Sequence, residues 1–265
     1  MPPTVVITGA SQGSGRATAH RFAKEGYNVV LAARQLERLQ TVADEVRSLG
    51  RSALAISTDV TDFQQVQALA DSALETFETI DVLVNNAGIC LTGPAEKTTL
   101  EDWQQIMNTN FWGYVHTIQA FLPHLLKYGS GTIVNVGSFG GKMPLPEMTA
   151  YCASKYAVTG LTETLRLELT SKGIQVCAVH PGVINSDFLE RAKFRGGSDS
   201  EAEQRRQQMS GILQSTWVSQ PEDIANGIWN AVKQRKDEVI VGPALLATEA
   251  YRLFPGLTQL LLKQS

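Results

Sequence analysis

Short apolar runs rich in β-branched residues alternate along the chain with longer stretches whose apolar positions recur every three or four residues. The short runs are Thr4 to Thr8, Asn28 to Ala32, Ala53 to Ser57, Val82 to Val84, Thr132 to Val136, Gln175 to Val179 and Glu238 to Val241. The longer stretches lie near 14 to 25, 36 to 49, 62 to 78, 100 to 127, 150 to 171 and 221 to 235. A strand that is apolar at successive positions is covered on both faces, and strands joined through helices run parallel. The alternation predicts a three-layer α/β domain, a doubly wound parallel sheet of about seven strands with helices on both faces. No repeat or linker divides the chain, so residues 1–265 read as one domain.

Residues 187–220 break the regularity. Their centre, GGSDSEAEQRRQQ, is polar, while Phe188, Leu189, Phe194, Met209, Ile212, Leu213 and Trp217 stand toward the two ends. A late insertion apolar on one side suits a substrate lid; the alternative is a surface excursion that packs on itself. The run Tyr251 to Leu262, YRLFPGLTQLLL, is apolar enough to rest on the protein's own core, a partner subunit or a membrane surface. No stretch reaches the roughly 20 apolar residues of a membrane span. The helices near 100 to 127 and 150 to 171 carry more apolar surface than one sheet face needs, which points to a symmetric partner.

Charge narrows the partners. Lys and Arg total 23 against 26 Asp and Glu, a net charge of -3, which leaves no basic excess for a nucleic-acid backbone. The three cysteines, Cys90, Cys152 and Cys177, lack the spacing of a zinc site or disulfide framework and read as buried thiols in a reducing compartment. The opening MPPTVVITGA enters a strand without the basic and apolar regions of a signal peptide, so a cytoplasmic protein is expected.

The first strand runs into GASQGSG and then a helical stretch, with glycine at Gly9, Gly13 and Gly15. Glycine is required where a backbone turns sharply and where a Cβ would block a phosphate, and a helix start offers unbonded N–H groups. The spacing departs from Gly-x-Gly-x-x-Gly, but its place at the first strand-to-helix junction marks a dinucleotide site and a sheet of Rossmann type. An NAD site places an acid at the end of the second strand, near the ribose 2′-hydroxyl. Here that strand reads VVLAAR. Ala33 followed by Arg34 removes a charge that would repel a 2′-phosphate and adds a guanidinium that binds one, so NADP(H) is preferred over NAD(H). Arg38 is a weaker second candidate.

Tyr151 and Lys155 stand four apart in AYCASKYAV, on one face of a predicted helix. An ammonium beside a phenolic oxygen favours the phenolate, and together with an oxidised nicotinamide it would bring a group titrating near ~10 toward working range. Ser138 ends the strand TIVNVGS, at the carboxyl edge where ligands bind in this architecture, and its hydroxyl can hold a carbonyl oxygen. Asn110 lies inside a helical stretch, where an amide is unfavourable without a task.

On these motifs the chain resembles the short-chain dehydrogenase/reductase family, in its single-domain subfamily of about 250 residues. TGASQGSG is similar to the family's cofactor turn, NNAG at Asn85 to Gly88 to its sheet-stabilising motif, the set Asn110, Ser138, Tyr151 and Lys155 to its catalytic tetrad, and HPGVINS at His180 to Ser186 to its PG motif. The resemblance implies that Tyr151 is proton donor and acceptor, that Lys155 lowers its pKa and holds the nicotinamide ribose, that Ser138 positions the carbonyl, and that Asn110 supports a water relay. It implies cofactor contacts from Gly9, Ser11, Gln12, Gly13, Ser14 and Gly15 in the turn, from Asp59 and Val60 at the adenine, and from Asn86, Ala87 and Gly88. Further contacts would come from Pro181, Gly182, Val183, Ile184 and Ser186. Ser14, Ser186 and Gln12 depart from the usual residues, the last leaving phosphate recognition to Arg34. A homodimer or homotetramer is also implied.

Other polar residues have simpler readings. His20, His116, His124 and His180 lie far apart without metal-like spacing. Cys152, next to Tyr151, should point away from the site. Glu101 with Asp102, and Glu163 with Glu168, read as solvated helix faces. Phe139, Met143, Leu145, Phe188, Leu213 and Trp217 would form an apolar wall, with Lys142 and Arg191 as possible anchors for an anionic group. The expected activity is hydride transfer between NADP(H) and a medium or large hydrophobic ketone or secondary alcohol, such as a 3-oxoacyl or steroid-like compound. The alternatives are an NAD-dependent alcohol or hydroxysteroid dehydrogenase and a non-catalytic NADP(H)-sensing protein.

Overall fold

The computed structural model describes residues 2–184, 192–213 and 218–262. Its centre is one parallel sheet built from β1 (Thr4–Thr8), β2 (Asn28–Ala33), β3 (Ala53–Ser57), β4 (Val82–Asn85), β6 (Gly131–Val136), β7 (Ile174–Pro181) and β9 (Glu238–Val241), in the order β3-β2-β1-β4-β6-β7-β9. The seven-stranded α/β architecture expected from the alternation is what forms.

Neighbouring residues of each strand serve opposite faces. Val5, Ile7, Val29 and Leu31 pack with Phe22 of α1 (Gly13–Lys24), Leu39 of α2 (Leu36–Ser48) and Ile228 of α8 (Pro221–Lys233). Val6, Val30 and Leu83 face the other way, onto Leu69 of α3 (Phe63–Phe77), Phe121 of α5 (Gly113–Tyr128) and α6 (Thr149–Leu169). All seven strands run parallel, but the order in which they are added reverses between β1 and β4, which opens a crevice at their carboxyl ends. Buried polar groups lock that edge: Asn85 Nδ2 donates to Asn135 Oδ1 (2.9 Å), and Thr117 Oγ1 to Asn85 Oδ1 (2.6 Å).

Several expectations need correction. The predicted helix over 100 to 127 is two helices, α4 (Leu100–Met107) and α5, joined by a π-helical turn at Asn108–Trp112. That turn carries Asn110, fully buried, toward the strand ends. Asp102 is not on a solvated face. It is 1% exposed, closes a capping box with Thr99, and receives Arg195 Nε and Nη2 at 2.8 and 2.7 Å. Arg195 follows β8 (Lys193–Phe194), which pairs in parallel with β5 (Leu91–Thr92), a two-stranded sheet that local periodicity did not show. The insertion contains α7 (Asp199–Leu213), whose Arg205 pairs with Glu147. The C-terminal run forms the end of α9 (Ala244–Leu253) and α10 (Pro255–Leu262), and Leu253, Phe254, Leu257 and Leu260 are exposed, so these residues do not join the protein's own core. All three cysteines are buried.

Candidate active site

The turn after β1 is shaped by close backbone approach. Gly9 and Gly13 adopt φ of +66° and +53°, and a Cβ on Gly15 would stand 2.2 Å from the Gly9 carbonyl oxygen. Thr8 Oγ1 accepts from the amides of Asn86 (3.0 Å) and Ala87 (3.1 Å). Asn86 Nδ2 donates to Thr8 O (2.9 Å) and Gly9 O (3.3 Å), while Ser14 Oγ donates to Asn86 Oδ1 (2.8 Å). Gln12 sits before α1 in extended conformation without capping it; its Oε1 accepts from Arg38 instead. The first amides of α1 therefore remain open to an anion. Ser11 is half-buried beside them.

Arg34 follows β2 at the same edge, exposed and with no side-chain partner among the described residues. Asp59 Oδ1 accepts from Thr61 N (2.9 Å) and Thr61 Oγ1 (2.8 Å), holding the turn after β3. Val60 is buried, its carbonyl oxygen 2.9 Å from His116 Nδ1, and a Cβ on Gly113 would come within 2.7 Å of it. Ser186 lies outside the described residues.

Three of the four predicted reactive groups, Ser138, Tyr151 and Lys155, meet in one cleft whose walls also include Ser14, Asn86 and Gly88. Ser138 Oγ accepts from Gly140 N (3.1 Å) and lies within hydrogen-bonding reach of the Tyr151 phenol. Lys155 Nζ donates to Val136 O (3.0 Å), as does the Tyr114 hydroxyl (2.9 Å), and the ammonium stands 6.0 Å from the centre of the Tyr151 ring. Burial pushes the Lys155 ammonium down to about 8. Burial also drives the Tyr151 phenol well above its ordinary value, with the Ser138 hydrogen bond acting the other way. The side chains alone do not produce the expected lowering: desolvation prevails at the phenol, and the Lys155 ammonium is directed at Val136 O. The phenol is held in its protonated form.

Asn110 does not line the cleft. Its Nδ2 donates to Ile89 O (2.9 Å) and Ser154 Oγ (3.0 Å), and its Oδ1 accepts from Ile89 N (2.9 Å), tying the segment after β4 to α6.

Pro181, Gly182, Val183 and Ile184 form the opposite side of the cleft, and Phe139, Ile89, Cys90 and Met148 supply apolar walls. Ile89, Cys90 and Met148 escaped sequence reading because their approach depends on Asn110 and on the fold of the loop before α6. Met143 is not in the wall. A tight turn over Phe139–Gly141, closed by Met143 N to Phe139 O at 3.0 Å, buries it instead. Leu145 is likewise absent from the cleft lining, and its Cδ1 lies 3.0 Å from where a Gly140 Cβ would stand. Lys142 turns away to Glu238 (2.6 Å). Cys152 is buried outside the cleft lining. Phe188, Arg191 and Trp217 lie outside the described residues, as does the Leu213 side chain.

This arrangement has known counterparts. The profile of the short chain dehydrogenase family matches residues 3–194. Sulfoacetaldehyde reductase 2 of Chromohalobacter salexigens is 38% identical over 231 residues, covering 86% of this chain and 88% of that protein. A short-chain dehydrogenase/reductase of Burkholderia phymatum, solved in complex with NAD, superimposes with a TM-score of 0.86 at 31% identity, covering 95% of both chains. An alcohol dehydrogenase of the archaeon Thermococcus sibiricus, complexed with 5-hydroxy-NADP, has a TM-score of 0.77 at 26% identity, over 91% of this chain and 96% of that one. With matching profile, fold and relatives, the chain belongs to the short-chain dehydrogenase/reductase family of oxidoreductases.

Proposed function

We propose that the protein is an NADP(H)-dependent carbonyl reductase and alcohol dehydrogenase for medium or large hydrophobic ketones and secondary alcohols. The observation that carries this reading is the meeting of Ser138, Tyr151 and Lys155 in a cleft whose other wall is the segment Pro181 to Ile184. The glycine turn, with open amides at the start of α1, suits a dinucleotide diphosphate. Arg34, exposed at the end of β2 and without a side-chain partner among the described residues, suits a 2′-phosphate. Lys155 and the Pro181 to Ile184 backbone would flank a nicotinamide riboside, which when bound supplies or accepts the hydride.

Ser138 Oγ donates to the substrate carbonyl oxygen, and Tyr151, kept protonated by burial, transfers its proton to that oxygen as negative charge develops. With NADPH as the cofactor, reduction is the expected direction. Lys155 holds the Val136 carbonyl and places positive charge near the phenolate that remains. Ile89, Phe139, Met148 and Ile184 favour an apolar substrate, since Lys155 is the only cation among the described wall residues and already donates to Val136 O.

The same reading includes a single domain whose 187–220 segment covers the substrate, a cytoplasmic location, and a homodimer or homotetramer joined through the exposed Leu100, Trp112, Tyr156 and Leu167. No helix among the described residues is long and apolar enough to cross a membrane. The test is cofactor oxidation, followed by nicotinamide absorbance, with NADPH or NADH and a panel of cyclic and long-chain ketones beside small anionic aldehydes. Turnover of apolar ketones with NADPH is expected; turnover confined to anionic aldehydes, or to NADH, overturns the reading.

A further inference from the structure

His180 is fully buried at the end of β7, directly before the Pro181–Gly182 pair of the cleft wall. Its ring lies against the backbone that leads into Ser138. A Cβ on Gly137 would come within 2.5 Å of His180 Nδ1, so glycine at that position makes room for the imidazole. Nδ1 is 3.1 Å from the Ser138 carbonyl oxygen. A carbonyl only accepts, so Nδ1 carries the proton and donates it there. The same oxygen accepts from Gly141 N at 2.9 Å, and Ser138 Oγ accepts from Gly140 N at 3.1 Å. Ser138 is thereby held at both its carbonyl and its hydroxyl.

The far edge of the ring faces a charged pair, and Nε2 makes no hydrogen bond there. His180 Nε2 stands 3.0 Å from Glu238 Oε1, on the edge strand β9, and Lys142 Nζ reaches the same carboxylate oxygen at 2.6 Å. Lys142 also approaches Glu163 of α6 at 3.4 Å. His180 and Lys142 hold the Glu238 carboxyl down at about 2, so the carboxylate stays charged throughout the neutral range. The imidazole, which touches neither the substrate space nor solvent, is therefore tied to its surroundings through Nδ1.

We propose that His180, through its Nδ1 hydrogen bond to the Ser138 carbonyl, is a positioning residue that sets the Ser138 hydroxyl against the substrate oxygen. The proposal rests on the reading of Ser138 given above. It concerns the placement of one hydrogen-bond donor, where a displacement of a fraction of an ångström lowers the rate without altering cofactor binding.

Two variants separate this role from plain support of the core. His180→Asn keeps a donor near the Nδ1 position, whereas His180→Leu fills similar space with none. His180→Leu is expected to lower kcat about tenfold with KM for NADPH unchanged, and His180→Asn to stay within about twofold of the parent. Equal losses in the two variants, or a rise in KM for NADPH in step with the loss of kcat, overturn the proposal, because general loosening would also displace Pro181 and Gly182. Should His180→Leu fail to fold, His180→Gln, whose amide falls near the Nε2 position and leaves the Nδ1 donor unreplaced, takes its place, and an unchanged kcat in that variant likewise overturns it. The Gly140 and Gly141 amide resonances report the placement of Ser138 independently of turnover. They should move in His180→Leu and stay in His180→Asn, even if no ketone is reduced and the functional reading of Ser138 fails; no movement in either variant contradicts the positioning role itself.

Discussion

At the turn after β1, backbone meets backbone: a side chain on Gly9 would begin 2.9 Å from Ala87 Cα, and one on Gly15 only 2.2 Å from Gly9 O. In the cleft wall, Ile89, Phe139 and Met148 contribute apolar side chains instead. The turn tolerates almost no substitution because the neighbouring atoms belong to the main chain and cannot rotate away. The wall can exchange one apolar group for another of similar volume at small cost. The turn is therefore fixed by the fold, while the wall is free to differ between proteins that share it, which is how one architecture serves many substrates.

The comparison can be broken at three places of decreasing effect. Between the two, Tyr151→Phe removes the proton donor without changing the turn, so kcat should fall about 10³-fold while the NADPH-induced rise in thermal midpoint persists. Loss of both together would mean that Tyr151 supports binding and not chemistry. At the turn, Gly15→Ala drives a methyl into Gly9 O and should cost about 2–3 kcal/mol in urea unfolding while abolishing the NADPH-induced thermal shift. A cost below about 0.5 kcal/mol with binding intact would show that the turn can relax.

The third place lies behind the side-chain wall, where Asp102 anchors the β5–β8 pair through Arg195. Arg195 is 41% exposed, so Asp102→Asn should cost about 1–2 kcal/mol, less than a fully buried pair would. The Arg195 guanidinium holds the Asp102 carboxyl down at about 2, below its ordinary value, so this stabilisation is present above about pH 4 and is lost as the pH falls toward 2. The variant's unfolding free energy should accordingly depend less on pH over that acid range than the parent's. Identical dependence would remove Asp102 from the acid response.

The same contrast explains what could be read from the sequence. The seven strands were legible because the hydrophobic alternation is local and strong, and the spacing of Tyr151 and Lys155 on one helix fixes their common face. Gly9 and Gly15 announce themselves because no other residue fits. Asp102 was misread as a solvated charge although Thr99 three residues before it spells a helix start; its burial depends on Arg195, far along the chain. The β5–β8 pair is equally non-local, two residues from each of two distant segments. Met143 and Leu145 looked like wall residues from their proximity to Ser138, but the tight turn at Phe139–Gly141 buries Met143 and leaves Leu145 outside the wall. The rise of the Tyr151 phenol was hidden for a related reason: residue spacing reveals a neighbouring charge but not the degree of desolvation.

The proposed preference for NADPH rests on Arg34 reading a 2′-phosphate, and the most direct measurement is the dissociation constant of NADPH and of NADH for the parent and for Arg34→Ala by calorimetry. A charge-assisted contact contributes about 1.5–3 kcal/mol, so the parent should bind NADPH about 10- to 100-fold more tightly than NADH, and the variant should lose that margin through weaker NADPH binding alone. Equal affinity for the two cofactors in the parent, or an Arg34→Ala variant that keeps the preference for NADPH, would contradict it.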